Sequence, residues 1–226
     1  MTIRLLTGRA AAVIGVAAAA LLAGLASAHA AGPFPDPKVD VPLAKAKATQ
    51  TAVFAGGCFW GVEAVFEHLK GVTQAVSGYA GGSADTAQYE RVSSGDTGHA
   101  ESVRVSYDPS RITYGQLLKV FFSVAHDPTQ LNRQGPDTGT QYRSAIFFGN
   151  DEQKRVAEAY IAQLKAARVF ARPIVTQVAP LKAFYDAEAY HQDYLVRHPT
   201  QPYIVMHDLP KLASLQRQYP EMYAAK

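Results

Sequence analysis

The sequence predicts an α+β fold, a two-layer α/β sandwich with helices packed on a mixed or antiparallel sheet. Three observations predict it. Apolar residues alternate over some short runs and recur at helical spacing over others. No internal repeat organises the chain. Several strand-like runs follow directly on one another, which disfavours a strictly alternating parallel sheet.

"TAVFAGG" (51–57) is a short apolar run ending in glycines, a strand signal. From Cys58 the period changes: Phe59, Val62, Val65, Phe66 and Leu69 recur at helical spacing until Gly71. "VTQAVSGYAGG" reads as a strand, and "TAQYERVSSGDTGH" as a polar connection with one helical turn. "AESVRVSYDP" is a strand, with Val103, Val105 and Tyr107 on one face. "TYGQLLKVFFSVA" (113–125) is an amphipathic helix that Thr113 can start, and "HDPTQLNRQGPDTGTQ" is a long loop of the kind that carries function. "YRSAIFFGN" is a strand, and "DEQKRVAEAYIAQLKAARVF" a helix with acids first and bases last, matching its dipole. "PIVTQVAP" is a strand, "DAEAYHQDYLVRHP" a helix, and "HDLPKLASLQRQYPEMY" a terminal helix interrupted near Pro220.

The first thirty residues stand apart. Arg4 and Arg9 precede an apolar run over residues 10–26 that ends in Ala26-Ser27-Ala28 and Ala28-His29-Ala30. A basic start, an apolar middle and an A-x-A end mark a secretory signal peptide, cleaved after Ala28 or Ala30. The alternative is a retained membrane anchor, for which the run is short. An exported protein follows, periplasmic in a Gram-negative bacterium. Residues 31–50 hold Pro33, Pro35, Pro37 and Pro42 and read as a Pro-rich, semi-rigid tether. Residues 51–226 then form a single domain, expected to be monomeric.

Lys plus Arg number 22 and Asp plus Glu 19, and two Arg lie in the leader, so the remainder is nearly neutral. No basic run argues for nucleic acid and no basic amphipathic helix for membranes. One cysteine with scattered histidines supplies no metal-ligand cluster. Cys58 is the sole cysteine, so it is either buried filler or chemistry. It sits in "GGCFWG" (56–61), beside the sole tryptophan, Trp60, where a strand turns into a helix. A helix N-terminus favours the thiolate and is expected to lower the thiol pKa.

Four polar clusters offer partners: "QYERV" with Tyr89, "GDTGHAES" with Glu101, "GPDTGTQYRS" with Asp137 and Tyr142, and "AYHQDY" with Tyr190, His191 and Tyr194. Each has a plainer reading as half-buried packing or solvated surface, and His191 as a cap or surface residue.

Taken together, "GCFWG", "SGDTGHAESVRVSYDP", "HDPTQLNRQGPDTGTQYRSAIFF" and "YHQDYL" resemble the A-type peptide-methionine sulfoxide reductases, in the family's order and over roughly residues 51–210. The resemblance implies a sandwich with a ferredoxin-like core. It implies Cys58 as nucleophile, Glu101 as the acid that protonates the sulfoxide oxygen, and Tyr89 and Tyr142 as donors to that oxygen. Asp137 supports the site, Phe59 and Trp60 wall the substrate methyl group, and Tyr194 lies nearby. It further implies methionine S-sulfoxide, free or in proteins, as substrate, repair of oxidised proteins as role, and no cofactor. Many members carry further cysteines near the C-terminus; "HPTQPYIVMHDLPKLASLQRQYPEMYAAK" has none. The sulfenic acid then requires an external thiol: thioredoxin-like, glutaredoxin-like or of low molecular weight. Two other readings stay open: a cysteine hydrolase with His99 or His191 as base, and a module that binds oxidised methionine without turnover.

Overall fold

The computed structural model describes residues 34–225. The leader read at 1–30 lies outside the described residues. Among those described, no helix is long and apolar enough to cross a membrane.

The sheet has six strands: β1 (Gln50–Gly56), β2 (Val72–Ala80), β3 (Ala100–Tyr107), β6 (Ser144–Phe148), β7 (Gln177–Pro180) and β8 (Phe184–Asp186). A two-strand hairpin, β4 (Arg133–Gln134) with β5 (Asp137–Thr138), stands apart. The sheet order is β7-β6-β1-β3-β2-β8, antiparallel throughout except for the parallel β6–β7 pair. Within it, β1, helix α1 (Phe59–Glu67), β2, β3, helix α3 (Tyr114–Val120) and β6 give the inner order β6-β1-β3-β2. That is the split βαββαβ arrangement of a ferredoxin-like core. The mixed sheet and the α+β class agree with the sequence reading.

One sheet face carries the main core. Phe54 of β1 stacks on Phe66 and on Phe121, each at a ring separation of 5.0 Å. Val62 and Val65 of α1, Leu117 and Leu118 of α3, and Val156, Tyr160 and Leu164 of helix α4 (Asp151–Ala166) complete it against Val103, Val105 and Ile146. Each such buried side chain contributes roughly 1.5–3 kcal/mol of transfer free energy. The other face is thinner, with Val53, Ala55, Ala80, Ala100, Ala145 and Phe147. Helix α1 is buried almost all round, because its back also packs Ala64 on Leu195 and Ile204 of the C-terminal segment.

Thr113 caps α3 in a capping box with Gln116. The helix runs on into a π turn at Phe121–Ala125, which fills the predicted span. Helix α6 (Leu209–Gln218) stops before Pro220.

Three expectations need correction. The stretch "DAEAYHQDYLVRHP" is not one helix. It holds the end of β8, a single 3-10 turn at Ala189–His191 and the short helix α5 (Tyr194–Arg197), broken at Asp193 with φ 51°. Gln192 decides this: its Oε1 accepts from Ser77 N–H at 2.9 Å and its Nε2 donates to the carbonyls of Ser77 and Ala187, pinning the chain to the edge of β2. The strand expected at "PIVTQVAP" is confined to Gln177–Pro180.

Residues 34–49, part of the stretch read as an extended, semi-rigid tether, lie along the body. Extended proline-rich chain leaves its carbonyls without secondary-structure partners, and body side chains supply donors. Tyr160 Oη donates to Pro35 O at 2.6 Å and Gln163 Nε2 to Asp36 O at 2.7 Å. Phe34 meets Phe170 edge-on, and Lys119 pairs with Asp36. Asp40 accepts from Gly115 N–H at 2.8 Å and from the Thr113 hydroxyl, so it helps close the N-terminus of α3.

Candidate active site

Gly57, at φ 91°, makes the turn from β1 to α1 possible, and a Cβ there would lie 2.5 Å from Gln134 of the β4–β5 hairpin. Cys58 follows as the N-cap of α1. It is 8% exposed and lines a cavity of about 270 Å³. Phe59, Trp60, Tyr89, Glu101, Asp137, Tyr142, Gln201 and Tyr203 complete the lining.

The elements that deliver these groups are tied to one another. Glu101 is the second residue of β3, and its Oε2 accepts from the Phe59 N–H at 3.0 Å, so the carboxyl is fastened next to the thiol. Helix α2 (Tyr89–Val92) brings Tyr89, whose N–H is held by Glu188 Oε1 at 2.9 Å. Arg143 donates to the carbonyls of Gly98, His99 and Thr140, clamping the glycine loop before Glu101 to the turn that carries Tyr142. Asp137, on β5, accepts a hydrogen bond from the Tyr203 hydroxyl.

Electrostatics divides the groups. Glu101 is buried, and desolvation pushes its carboxyl to about 8 against the Phe59 N–H bond, with Asp137 adding to the rise. It is therefore largely a neutral acid at pH 7. The Tyr89 and Tyr142 phenols are raised, chiefly by burial and then by Glu101, and remain protonated donors. The Cys58 thiol departs from expectation. Burial, then Glu101 and Asp208, hold it well above its ordinary value; the Trp60 N–H and Lys211 act the other way. Desolvation outweighs the helix start at this buried thiol.

Of the residues singled out from sequence, Cys58, Phe59, Trp60, Tyr89, Glu101, Asp137 and Tyr142 meet in the cavity. Tyr194 does not line it; its ring stacks flat on Trp60 at 3.7 Å, behind the wall. His191 is buried rather than a surface cap, its Nδ1 accepting from Trp60 Nε1–H at 3.1 Å. Gln201 and Tyr203 were missed. They fall in the stretch whose sequence signal was only its lack of cysteine, and nothing local distinguishes Tyr203 from the eleven other tyrosines.

Among the described residues, no histidine lines the cavity. His99 spends both ring nitrogens on the loop, at Gly82 N and Ser83 O, and His191 lies behind Trp60. A cysteine hydrolase with a histidine base has no base here. A buried thiol, a neutral carboxylic acid and phenol donors instead surround one small aromatic-walled cavity.

Comparison with known proteins agrees. The sequence profile of the family described as peptide methionine sulfoxide reductase matches residues 50–223. Peptide methionine sulfoxide reductase MsrA 2 of Mesorhizobium japonicum is 61% identical over 181 residues, covering 80% of this chain and 93% of its own. MsrA 2 of Synechocystis is 55% identical over 194 residues, covering 85% and 91%. Among solved structures, reduced Mxr1 of Saccharomyces cerevisiae superposes with a TM-score of 0.61 at 37% identity, over 73% of this chain and 92% of that one. The chain belongs to the peptide methionine sulfoxide reductase family, and is an enzyme that reduces methionine sulfoxide.

Proposed function

We propose that Cys58 is the nucleophile and Glu101 the general acid, and that the enzyme turns over by a one-cysteine cycle. The observation that carries this reading is the Glu101 carboxyl fastened by the Phe59 N–H beside Cys58 in one cavity. The Phe59 N–H holds Oε2 as acceptor, so Oε1 bears the proton. Phe59 and Trp60 seat the S-methyl group, where sulfur–aromatic contact contributes about 0.3–1.5 kcal/mol. Tyr89 and Tyr142 donate to the sulfoxide oxygen and favour its growing negative charge. Glu101 passes its proton to that oxygen and receives the thiol proton in exchange as the Cys58 sulfur attacks the sulfoxide sulfur. The protonated oxygen passes from the substrate sulfur to the Cys58 sulfur as the newly formed S–S bond and the S–O bond break, so methionine leaves reduced by two electrons and Cys58, oxidised by two, is left as a sulfenic acid. Asp137 and Tyr203 hold each other at the cavity edge, and Tyr194 backs Trp60.

With one cysteine in the chain, no internal disulfide can form. The sulfenic acid condenses with an external thiol, thioredoxin-like, glutaredoxin-like or of low molecular weight, releasing water and forming a mixed disulfide, and a second such thiol then exchanges with it, freeing the Cys58 thiol and leaving the external disulfide. We read the substrate as the S epimer, free or in proteins, and the leader as directing the enzyme to the periplasm for repair of oxidised exported proteins.

Cys58→Ser with dithiothreitol is expected to lose methionine sulfoxide reduction entirely while still binding the sulfoxide. Intact mass after one equivalent of substrate without reductant should show one added oxygen on the wild type. Turnover by Cys58→Ser overturns the nucleophile, and a disulfide dimer as main product overturns the cycle. Sulfoxide binding with no turnover by the wild type would favour a capture module instead.

A further inference from the structure

The C-terminal segment brings a pair of charges to the start of α1. Asp208 is wholly buried; its Oδ1 accepts from Lys211 Nζ at 3.1 Å, and among the described residues its Oδ2 has no hydrogen-bond partner. Both groups press on Gly61, in the first turn of α1. A Cβ there would lie 2.0 Å from Asp208 Oδ1 and 2.6 Å from Lys211 Nζ. The glycine thus opens the space through which the pair reaches the helix end capped by Cys58.

We propose that Lys211, held by Asp208, is a positioning residue that offsets the negative charge forming on Cys58 as its proton leaves. The inference rests on Cys58 being the nucleophile. The other titratable groups lining the cavity with the thiol are Glu101, Asp137, Tyr89, Tyr142 and Tyr203, all acids or phenols, so none brings positive charge to a sulfur that burial already disfavours as an anion. An ammonium close to a low-dielectric site acts far more strongly than one in water. Asp208 opposes Lys211 at the thiol, and so tempers the effect while fixing the side chain that exerts it.

The test is the pH dependence of Cys58 alkylation by iodoacetamide, read by mass on the full chain, which reports thiolate without needing turnover. Asp208→Asn is expected to move the profile to lower pH than wild type. Asp208→Asn/Lys211→Met, which leaves neither charge buried and so keeps the fold accessible, is expected about one pH unit above Asp208→Asn, with about tenfold slower alkylation at pH 7. Lys211→Arg should keep the wild-type profile. Coincident profiles for Asp208→Asn and the double variant, both with cooperative thermal melts, overturn the proposal, as does Lys211→Arg behaving like the double variant. If Cys58→Ser instead retained reductase activity, the nucleophile assignment would fall while the alkylation profiles still reported on Lys211.

Discussion

A single glycine, Gly57, decides where the thiol sits. Its left-handed backbone turns the chain within two residues of a buried strand, and Gln134 closes over the space a Cβ would need. Glu101 shows how one residue's surroundings set its chemistry: the same carboxyl in water would ionise near its ordinary value of 4.5, whereas burial lifts it to about 8. Two outcomes follow. Because the protonated acid is the reactive form, wild-type kcat/KM should fall as pH rises through about 8, and Glu101→Gln should lose that limb together with about a hundredfold or more of the rate. Because the folded state keeps the proton that the unfolded state releases, stability relative to Glu101→Gln should decline between about pH 4.5 and 8. Urea unfolding at several pH values checks the second; parallel wild-type and variant curves would refute it. Residue types and local context suggested Cys58, Glu101, Tyr89 and Tyr142 from sequence. The direction of the thiol shift did not follow, because desolvation is a property of what covers a group rather than of its neighbours in sequence.

At the scale of elements, the strands and long helices with a clear period were legible: β1, β3, α1, α3 and α4 bury the faces their spacing marks. Two elements were not. The segment carrying His191 and Tyr194 has a good helical composition, yet Gln192 bonds it to the edge of β2 and Asp193 breaks it. Strand β8 is three residues long and pairs only with Gly78, Tyr79 and Ala80, too short for any alternation to show. The strap before β1 is likewise held by specific hydrogen bonds rather than by pattern. Asp40→Ala should cost about 1–3 kcal/mol, since it removes a charged acceptor from Gly115 and Thr113. Limited proteolysis should then cut within residues 35–49 faster than in the wild type; unchanged cleavage would mean the strap holds without Asp40.

In the described part of the molecule, a sheet with helices on one face leaves the start of α1 at the end of the inner strand β1, and the C-terminal segment packs on that helix from behind. Relative to a chain beginning at residue 34, a chain beginning at residue 50 should have a Tm lower by several degrees through loss of the strap's contacts with α3 and α4. Thermal melts of the two truncations decide it, and equal Tm values would return the strap to a mere tether. The sequence by itself determined the fold class and the place of Cys58 at a strand-to-helix turn, because periodicity and turn chemistry are local properties, and it pointed to the groups around Cys58 through the resemblance of four sequence blocks to a known family. Only the tertiary structure decided that Tyr203 joins the cavity, that Tyr194 stands behind Trp60, that Asp208 and Lys211 reach α1 and that the thiol rests protonated. Those outcomes depend on burial and on contacts between segments far apart in the chain, which no local pattern encodes.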